Sequence, residues 1–351
     1  MRATVLHLPG EIALVERPKP RIVDGTDAVV RVTTAAVCGS DLWWYRGDNP
    51  FDQPRRMGHE FIGRVEQVGP DVTTVQAGDA VIAAFKVSDG TCIPCSDGYT
   101  SNCHRGSYWG QSDRDGADLD GGQGERVRVP YADGTLVPVP GGLDEALLPH
   151  LLALTDVMPT GLHAAQCAGV RPGSEVVVIG DGAVGLCAVL AARRLGAERV
   201  TIMSRHPDRQ ETSRAFGVDD IVTERGAKGV ARIRALHGGL GAAHVLECVG
   251  SEQSLQQAID CTRPGGQIGM VGIPHGVPLR PRDLFIKNLG LRGGGAPARA
   301  LIPGLLPDVL DGTLLPGAVF NRRYTLDEIG TAYADMAERR TIKAQIDVTP
   351  V

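Results

Sequence analysis

The segment that decides the fold is Ser174-Glu-Val-Val-Val-Ile-Gly-Asp-Gly-Ala-Val-Gly185. Its apolar run from Val176 to Ile179 predicts a short strand that is buried on both faces of a sheet. The pattern G-x-G-x-x-G follows at once and opens a stretch with helical spacing. In such a turn the first glycine allows the tight bend, the second lets the backbone approach a pyrophosphate, and the third lets the helix pack on the strand. A dinucleotide site is expected here, rather than a merely structural glycine-rich turn, with contacts from Gly180, Gly182, Ala183, Val184 and Gly185.

The rest of the chain has two textures. Apolar strands alternate with amphipathic helices from residue 170 to about residue 297, which predicts a doubly wound parallel sheet and an α/β fold class. Residues 1 to 37 alternate apolar and polar positions between Gly and Pro turns, and the same texture returns from Phe61 to Ala83, which predicts that the first third of the chain is a β-rich, barrel-like unit. Helical spacing then runs from Asp144 to Ala168, with a predicted interruption near Pro159-Thr160-Gly161.

The properties of the whole chain favour a cytoplasmic protein that handles small molecules. The chain has 351 residues, enough for two domains, and a formal net charge of -5. This charge and the lack of a long basic run argue against nucleic acid or a membrane surface as a partner. The N-terminus lacks the apolar core of a signal peptide, and no apolar run has the length of a membrane span. The eight cysteines are therefore expected as metal ligands and buried thiols in a reducing compartment.

One set of metal-binding residue types lies in the first sixth of the chain. Cys38-Gly-Ser-Asp41 is followed, after a loop, by Gly58-His59-Glu60. Zinc binds thiolate sulfur, imidazole nitrogen and carboxylate oxygen, and a catalytic zinc has three protein ligands with the fourth position open to water or substrate. Cys38 and His59 are predicted as two of these ligands. A third must come from further along the chain.

A second cluster lies between residues 89 and 103. Cys92 and Cys95 form a C-x-x-C pair, and Cys103 follows eight residues later. A structural zinc site needs four ligands, and Asp89 repeats the spacing of the pair three residues before Cys92, which makes it the predicted fourth ligand. The alternatives are a redox C-x-x-C pair or three free thiols. A redox pair normally opens a helix, whereas turn residues surround this one, which favours the metal.

The segment after the second predicted strand, Arg199 to Met203, indicates which nicotinamide cofactor binds. An NAD site places an acidic residue at this point to bind the ribose 2′-hydroxyl. The chain has Ser204 and Arg205 there, and Arg209 one turn later. Because a guanidinium pairs with phosphate through charge-assisted hydrogen bonds, these residues predict NADP(H). The alternative is the solvated basic start of a helix.

These motifs, in this order, closely resemble those of the zinc-dependent medium-chain alcohol dehydrogenases of the MDR superfamily, and the resemblance covers essentially the whole chain. It implies a GroES-like β-barrel catalytic domain made of residues 1–156 and 298–351, and a Rossmann domain made of residues 157–297. It also implies a homodimer or homotetramer in which Rossmann sheets pair through their last strand, here near residues 289–293.

The resemblance also supplies the missing zinc ligand. In one bacterial branch of the family the third ligand is an aspartate before a Thr-Gly pair, which matches Asp156 before Thr160-Gly161. This branch includes NADP-dependent secondary alcohol dehydrogenases and, more distantly, zinc formaldehyde dehydrogenases. Cys38 and His59 match the other two ligands. Glu60 matches a carboxylate that can approach the metal during ligand exchange.

Further roles follow from the same resemblance. Ser40 matches the hydroxyl that receives the alcohol proton, and Thr160 and Lys343 match positions near the cofactor. Relatives often carry a histidine three residues after this serine, which passes the proton outward, whereas this chain has Trp43. Proton release is then expected through another route, such as ribose hydroxyls and water. Trp43 is expected either to line an apolar substrate pocket or to be ordinary packing.

The predicted function is hydride transfer between NADP(H) and an alcohol/carbonyl pair, as in an alcohol dehydrogenase or carbonyl reductase, with zinc as a Lewis acid. One alternative is an NAD-linked formaldehyde dehydrogenase or dismutase on the same scaffold, against which Ser204 argues. The other is a non-catalytic nucleotide-binding MDR protein. A ligand set of Cys38, His59 and Asp156 beside Ser40 argues against it, because a binding module has no need of an open metal position.

Overall fold

The computed structural model describes residues 1–113 and 116–350, and Val351 at the end of the predicted catalytic domain lies outside them. The chain divides into two compact units. The first contains Met1–Asp156 and Pro297–Val351, and the second contains Val157–Ala296. Among the described residues, no helix combines the length and the apolar character needed to cross a membrane.

Strands dominate the first part of the chain, and strands alternate with helices from β9 to β14, as the sequence patterns indicate. The strands are β1 (Arg2–Leu8), β2 (Glu11–Glu16), β3 (Ala28–Ala36), β4 (Arg55–Arg56), β5 (Glu60–Val68), β6 (Ala80–Ala83), β7 (Arg126–Val129), β8 (Leu136–Pro138), β9 (Glu175–Ile179), β10 (Arg199–Met203), β11 (Asp220–Val222), β12 (Ala242–Glu247), β13 (Thr262–Met270), β14 (Gly290–Gly293), β15 (Arg322–Thr325) and β16 (Ala344–Asp347). The helices are α1 (Asp41–Tyr45), α2 (Ile93–Ser96), α3 (Ala132–Thr135), α4 (Leu148–Ala153), α5 (Val157–Cys167), α6 (Ala183–Arg194), α7 (Pro207–Ala215), α8 (Gly226–Leu236), α9 (Glu252–Cys261), α10 (Pro281–Lys287), α11 (Ala298–Leu310) and α12 (Ile329–Ala337).

The first unit is built on a mainly antiparallel sheet with the strand order β15-β16-β3-β5-β6-β8, and β7 pairs with β3. A smaller sheet has the order β2-β1-β4. The two ends of the chain meet at β3, where Ala36 pairs with Gln345 of β16 on one side and with Glu60 of β5 on the other. Fully buried apolar side chains from β3, β5 and α12, such as Val30, Phe61 and Tyr333, fill the core. Each contributes about 1.5–3 kcal/mol by leaving water.

The second unit is a six-stranded parallel sheet with the order β11-β10-β9-β12-β13-β14. This is the order of a doubly wound dinucleotide-binding sheet, in which the first three strands are added toward one edge and the next three, starting beside the first strand, toward the other. The predicted strand and helix around the glycine pattern are confirmed as β9 and α6. Gly180 joins them with a φ of +112°, which residues other than glycine rarely adopt. The predicted α/β fold class is confirmed.

One local prediction was wrong. The helical stretch from 144 to 168 is interrupted at residues 154–156, between α4 and α5, and not at Pro159-Thr160-Gly161. Those three residues lie inside α5. Proline is tolerated at the third position of a helix, because the N–H groups of the first turn have no carbonyl acceptor within the helix. The N–H that proline lacks would therefore make no helical hydrogen bond there.

Candidate active site

Four side chains of the first unit converge as candidate metal ligands: Cys38, His59, Glu60 and Asp156. One potential ligand atom from each lies within 4.8 Å of all the others. Asp156 Oδ2 lies 3.5 Å from Cys38 Sγ and 3.3 Å from His59 Nε2. The three predicted zinc ligands are therefore brought together with Glu60 beside them.

Sheet register explains most of this convergence. Cys38 follows the end of β3, and Glu60 is the first residue of β5, where it pairs with Ala36. His59 precedes β5 and follows Gly58, whose φ is +96°. A Cβ on Gly58 would lie 2.6 Å from the backbone nitrogen of Gln123, so no larger residue fits this turn without movement of the backbone. The strand pairing thus aligns the thiol, the imidazole and the carboxylate at one end of the sheet.

Asp41 fixes two of the ligands in place. Its Oδ2 accepts a hydrogen bond of 3.0 Å from the Cys38 backbone amide, and its Oδ1 lies 3.3 Å from His59 Nδ1. A carboxylate can only accept, so the contact with Asp41 places a proton on His59 Nδ1 and leaves Nε2, the nitrogen that faces Asp156, as the one that would bind a metal. Such a carboxylate behind a metal-binding histidine sets the tautomer and the orientation of the ring.

Glu60 and Lys343 form a fully buried ion pair. Lys343 Nζ lies 2.6 Å from Glu60 Oε1 and donates a second hydrogen bond, of 3.2 Å, to the Val37 carbonyl. Lys343 precedes β16, whose pairing with β3 brings it beside Val37. Glu60 Oε2 is buried and has no hydrogen-bond partner among the described residues. Glu60 Oε1 also lies 4.0 Å from His59 Nε2, and the second oxygen of Glu60 is not engaged by the ion pair.

The site holds a concentrated set of charges. Burial raises the pKa of the Cys38 thiol, and the neighbouring Asp156 carboxylate raises it further. Burial alone would lower the pKa of His59, but Asp41, Cys38 and Asp156 outweigh it and hold that pKa well above its ordinary value. Burial also raises the pKa of Glu60, partly offset by the positive charge of Lys343. These shifts arise where anionic side chains face one another, which is the arrangement that a bound cation stabilises.

The donors fit zinc. A thiolate, an imidazole and a carboxylate are the ligand types of catalytic zinc sites, and Glu60 stands beside them as a fourth potential ligand. The fit rests on this chemistry of the donor set.

The second cluster comes together within one segment. Potential ligand atoms of Asp89, Cys92, Cys95 and Cys103 all lie within 4.8 Å of one another. Asp89 Oδ1 accepts hydrogen bonds from the amides of Thr91, at 2.9 Å, and Cys92, at 3.0 Å. Against the effect of burial, these bonds lower the pKa of Asp89 to about 2. Its Oδ2 is buried with no hydrogen-bond partner in the described part of the chain, which fits a metal ligand.

The two alternatives for the cysteine cluster can be compared with this geometry. The expectation that the C-x-x-C pair lies among turn residues and does not open a helix was wrong, because Cys92 is the N-cap of α2, a single turn that contains Cys95. The Sγ atoms of Cys92 and Cys103 are 3.8 Å apart, and all eight cysteines are free thiols. The convergence of a carboxylate on three thiols is typical of a metal site and serves no purpose in a redox pair.

The glycine turn of the second unit carries a carboxylate that meets the end of β10. Asp181 Oδ2 accepts a hydrogen bond of 2.8 Å from the Ser204 hydroxyl and another, of 3.1 Å, from the Arg205 amide. Asp181 Oδ1 lies 3.3 Å from Arg209 Nη1. The three residues predicted to recognise a 2′-phosphate are therefore gathered at one place, with Asp181 as a partner that the sequence prediction did not include.

Comparison with known proteins identifies the family. Residues 24–141 match the alcohol dehydrogenase GroES-like domain, and residues 183–309 match the zinc-binding dehydrogenase domain. The chain is 39% identical over 318 residues to zinc-type alcohol dehydrogenase B of Aspergillus flavus, which covers 88% of this chain and 72% of that protein. The chain belongs to the zinc-dependent medium-chain alcohol dehydrogenases. The predicted resemblance is confirmed.

Other members of the family are similar over almost the full length. The glutathione-independent formaldehyde dehydrogenase of Bacillus subtilis is 30% identical over 355 residues, which cover 91% of this chain and 86% of that protein. The solved structure of alcohol dehydrogenase TADH from Thermus sp. ATN1 has a TM-score of 0.91 and 32% identity, and the match covers 99% of this chain and 100% of that one. This medium-chain dehydrogenase therefore has the GroES-like and Rossmann-type architecture that its sequence predicts.

The remaining predicted residues of this dehydrogenase lie as follows. Ser40 is half-buried, directly before α1 and two residues after Cys38. Trp43 is half-buried inside α1. Thr160 is buried on α5, in the second unit. Lys343 contacts Glu60 in the first unit, and its predicted role near the cofactor stays a prediction.

Sequence reasoning missed three residues of the sites. Asp41 stands inside the Cys-Gly-Ser-Asp motif, and a carboxylate near a metal-binding histidine is a signal that could have found it. Asp181 stands inside the glycine pattern, and a carboxylate one residue from the expected pyrophosphate turn is a signal that could have found it. Phe85 packs edge-on against His59, with ring centroids 6.4 Å apart, and nothing in its local sequence distinguishes it from a core residue.

Proposed function

We propose that this chain is a zinc- and NADP(H)-dependent oxidoreductase that interconverts an alcohol and a carbonyl compound. The observation that carries the proposal is the convergence of Cys38, His59 and Asp156 in the first unit. The family implies zinc and a nicotinamide cofactor, and the donor set fits zinc. The preference for NADP(H) rests on the residues at the end of β10.

Cys38, His59 and Asp156 would hold the zinc. When bound, zinc supplies a Lewis acid that polarises the oxygen of an alcohol or a carbonyl group. Asp41 keeps the His59 ring in the required tautomer, since its carboxylate accepts a hydrogen bond from the protonated Nδ1. Lys343 holds Glu60 through Oε1 and leaves Oε2 as an alternative ligand during exchange.

The proton and the substrate chain are assigned to neighbouring residues of the same segment. Ser40 is the predicted acceptor of the alcohol proton, and its place between Cys38 and α1 supports this role. Trp43 and Phe85 offer apolar rings, and the Phe85 ring already packs against the ligand His59. Together they favour an apolar group on the carbon that carries the reacting oxygen.

A structural zinc is assigned to the second cluster. Four ligands from three thiols and the Asp89 carboxylate complete a closed tetrahedral set with no position left for substrate. The metal would fix the segment from 89 to 103, whose only regular structure is one α-helical turn and one short 3-10 turn among the described residues. Its role is stability and not hydride transfer.

The preference for NADP(H) is supported by positive charge at the end of the second strand of the dinucleotide sheet. Arg205 is exposed there, and Arg209 lies one turn into α7. The family fold places the ribose 2′ group at this strand end, where guanidinium groups bind phosphate well. Ser204 stands in place of the acidic residue typical of NAD enzymes.

A second candidate is an NAD-linked dehydrogenase of the formaldehyde type. The Bacillus subtilis relative named a glutathione-independent formaldehyde dehydrogenase motivates it. The Asp181 carboxylate beside Ser204 is the one structural observation that favours NAD. This candidate differs from the first in cofactor and in substrate size, and the same measurements separate them.

The proposed homodimer or homotetramer is supported by the position of β14. This strand is the last of the six-stranded parallel sheet and has no strand on its outer side among the described residues. Arg292 and Gly293 of β14 are exposed, so the edge is able to pair with the same strand of a second copy. Light scattering of the purified protein gives the oligomeric state, and a monomer would contradict this part of the proposal.

Metal analysis combined with cofactor-dependent turnover tests the main proposal. We expect a zinc ion for each of the two clusters, and faster reduction of a panel of aldehydes and ketones with NADPH than with NADH. Zinc in the cysteine cluster only, with no turnover on the panel, would contradict the catalytic site. Equal or better turnover with NADH, strongest with formaldehyde-sized substrates, would favour the second candidate.

A further inference from the structure

Asp181 is a carboxylate within the dinucleotide turn. It stands between the first two glycines of the dinucleotide turn, directly after β9, yet its side chain reaches the end of β10. There it accepts hydrogen bonds from the Ser204 hydroxyl and the Arg205 amide through Oδ2. The carboxylate that the sequence lacks at the end of the second strand is therefore supplied by the turn after the first strand.

Positive groups surround this carboxylate. Arg209 Nη1 lies 3.3 Å from Asp181 Oδ1, and His206 and the exposed Arg205 follow Ser204 directly. Arg225 closes the group from the next connection, where it donates a hydrogen bond of 3.2 Å to the Met203 carbonyl at the end of β10. Burial would raise the pKa of Asp181, but the hydrogen bond from Ser204 and the charge of Arg209 hold it below the ordinary value. Asp181 is thus negative at neutral pH.

The two forms of the cofactor meet these charges differently. A ribose 2′-hydroxyl can donate to a carboxylate, which is how NAD sites use their acidic residue. A 2′-phosphate binds guanidinium groups but is repelled by a carboxylate at hydrogen-bond distance from them. Ser204 is fully buried and donates to Asp181, so its hydroxyl proton is engaged before any phosphate arrives.

We propose that Asp181 is a specificity-determining residue, which weakens binding of the 2′-phosphate and strengthens binding of the 2′-hydroxyl at the end of β10. The inference rests on the proposed nicotinamide cofactor site. It goes beyond the preference for NADP(H) by assigning the opposing contribution to one carboxylate. Arg205, Arg209 and Arg225 then attract the 2′-phosphate, and Asp181 limits how strongly they favour it over a 2′-hydroxyl.

Removal of this one charge tests the inference. Asp181→Asn keeps the shape and one acceptor oxygen for Ser204 and the Arg205 amide, while it releases Arg209. We expect the ratio of affinities for 2′,5′-ADP over 5′-AMP, measured by calorimetry, to rise by about tenfold or more, as loss of one nearby charge predicts. Asp208→Asn is the matched control, because Asp208 is exposed on α7, the helix that carries Arg209, and its substitution removes the same charge. In Asp208→Asn the ratio of affinities for 2′,5′-ADP over 5′-AMP is expected to change much less than in Asp181→Asn.

The outcomes separate the inference from the proposed function. If the unaltered protein binds 2′,5′-ADP no better than 5′-AMP but Asp181→Asn raises the ratio, the preference for NADP(H) fails and the role of Asp181 stands. If Asp181→Asn leaves the ratio unchanged, or changes it no more than Asp208→Asn, the role of Asp181 is overturned. Asp181→Ser removes the same charge with a smaller side chain and gives the same comparison if the asparagine variant does not fold.

Discussion

The two ligand clusters of the first unit have the same number of candidate ligands but are assembled in opposite ways. Each places four potential ligand atoms within 4.8 Å of one another. The structural cluster takes all of them from residues 89–103, whereas Cys38 and Asp156 of the catalytic cluster are 118 residues apart. One site is made by a local segment, and the other by the pairing of β3 with β5 together with the distant connection between α4 and α5.

This difference determines what holds each site in shape. In the structural cluster, backbone amides of the same segment orient the carboxylate, as Thr91 and Cys92 do for Asp89. In the catalytic cluster, side chains outside the ligand set do this work: Asp41 orients His59, and Lys343 holds Glu60. Damage to the local site should therefore reduce stability and leave turnover unchanged. Damage to the dispersed site should reduce turnover, alone or together with stability.

The largest effect is expected from Asp156→Ala. Loss of this ligand should remove the catalytic zinc and lower turnover by about a thousandfold or more, because polarisation by a metal is worth several kcal/mol. Metal analysis of the purified variant should still find zinc in the cysteine cluster. Asp156→Cys is the matched control, since cysteine is itself a zinc ligand and should retain the metal. Full turnover in Asp156→Ala would refute the ligand assignment.

A change at Lys343 should disturb the fold as well as the site. Lys343→Met leaves Glu60 buried without its partner, which costs about 3–5 kcal/mol of unfolding free energy when a buried ion pair is broken. Thermal unfolding monitored by circular dichroism measures the loss. The double variant Lys343→Met with Glu60→Gln removes both charges and should recover part of it. A single variant as stable as the unaltered protein would show that the pair is unimportant for folding.

The contrast between the clusters also explains what could be predicted from sequence. Asp89 was predicted from spacing alone, because its distance from Cys92 repeats the distance from Cys92 to Cys95 and a local turn preserves such spacing. No spacing rule connects Asp156 with Cys38, since Asp156 lies between α4 and α5, outside the sheet, and meets Cys38 only through tertiary packing. Asp156 was identified only through the resemblance to a family branch.

Contacts made through tertiary structure were beyond the sequence for the same reason. Lys343 was predicted near the cofactor, and only the pairing of β16 with β3 reveals its contact with Glu60. The glycine pattern predicted the turn after β9 from local rules, but not that Asp181 would reach the end of β10. Backbone-determined features were thus accessible, and side-chain partners across strands were not.

A smaller effect is expected from Asp41→Asn. The carboxylate accepts from the Cys38 amide and from His59 Nδ1, whereas an asparagine has only one acceptor oxygen for these two donors. Loss of such a supporting carboxylate typically lowers metal affinity or activity by about 10- to 100-fold. Zinc affinity can be measured by competition with a chelator. Asp48→Asn, an exposed residue of the following loop, is the control for the charge change, and equal affinities in the two variants would contradict the role of Asp41.

The smallest effect should come from Asp89→Ala, which changes the structural cluster and not the catalytic one. Three thiols remain to hold the structural zinc, so the metal should bind more weakly and not be lost outright, with a cost of about 1–2 kcal/mol in unfolding free energy. Asp89→Cys, which restores a fourth ligand, should match or exceed the unaltered protein in thermal unfolding. Turnover per catalytic zinc should be the same in all three proteins, because no residue from 89 to 103 belongs to the catalytic cluster. A fall in turnover as large as that of Asp41→Asn, at unchanged catalytic zinc content, would show that the two clusters are coupled and that the local site also shapes the dispersed one.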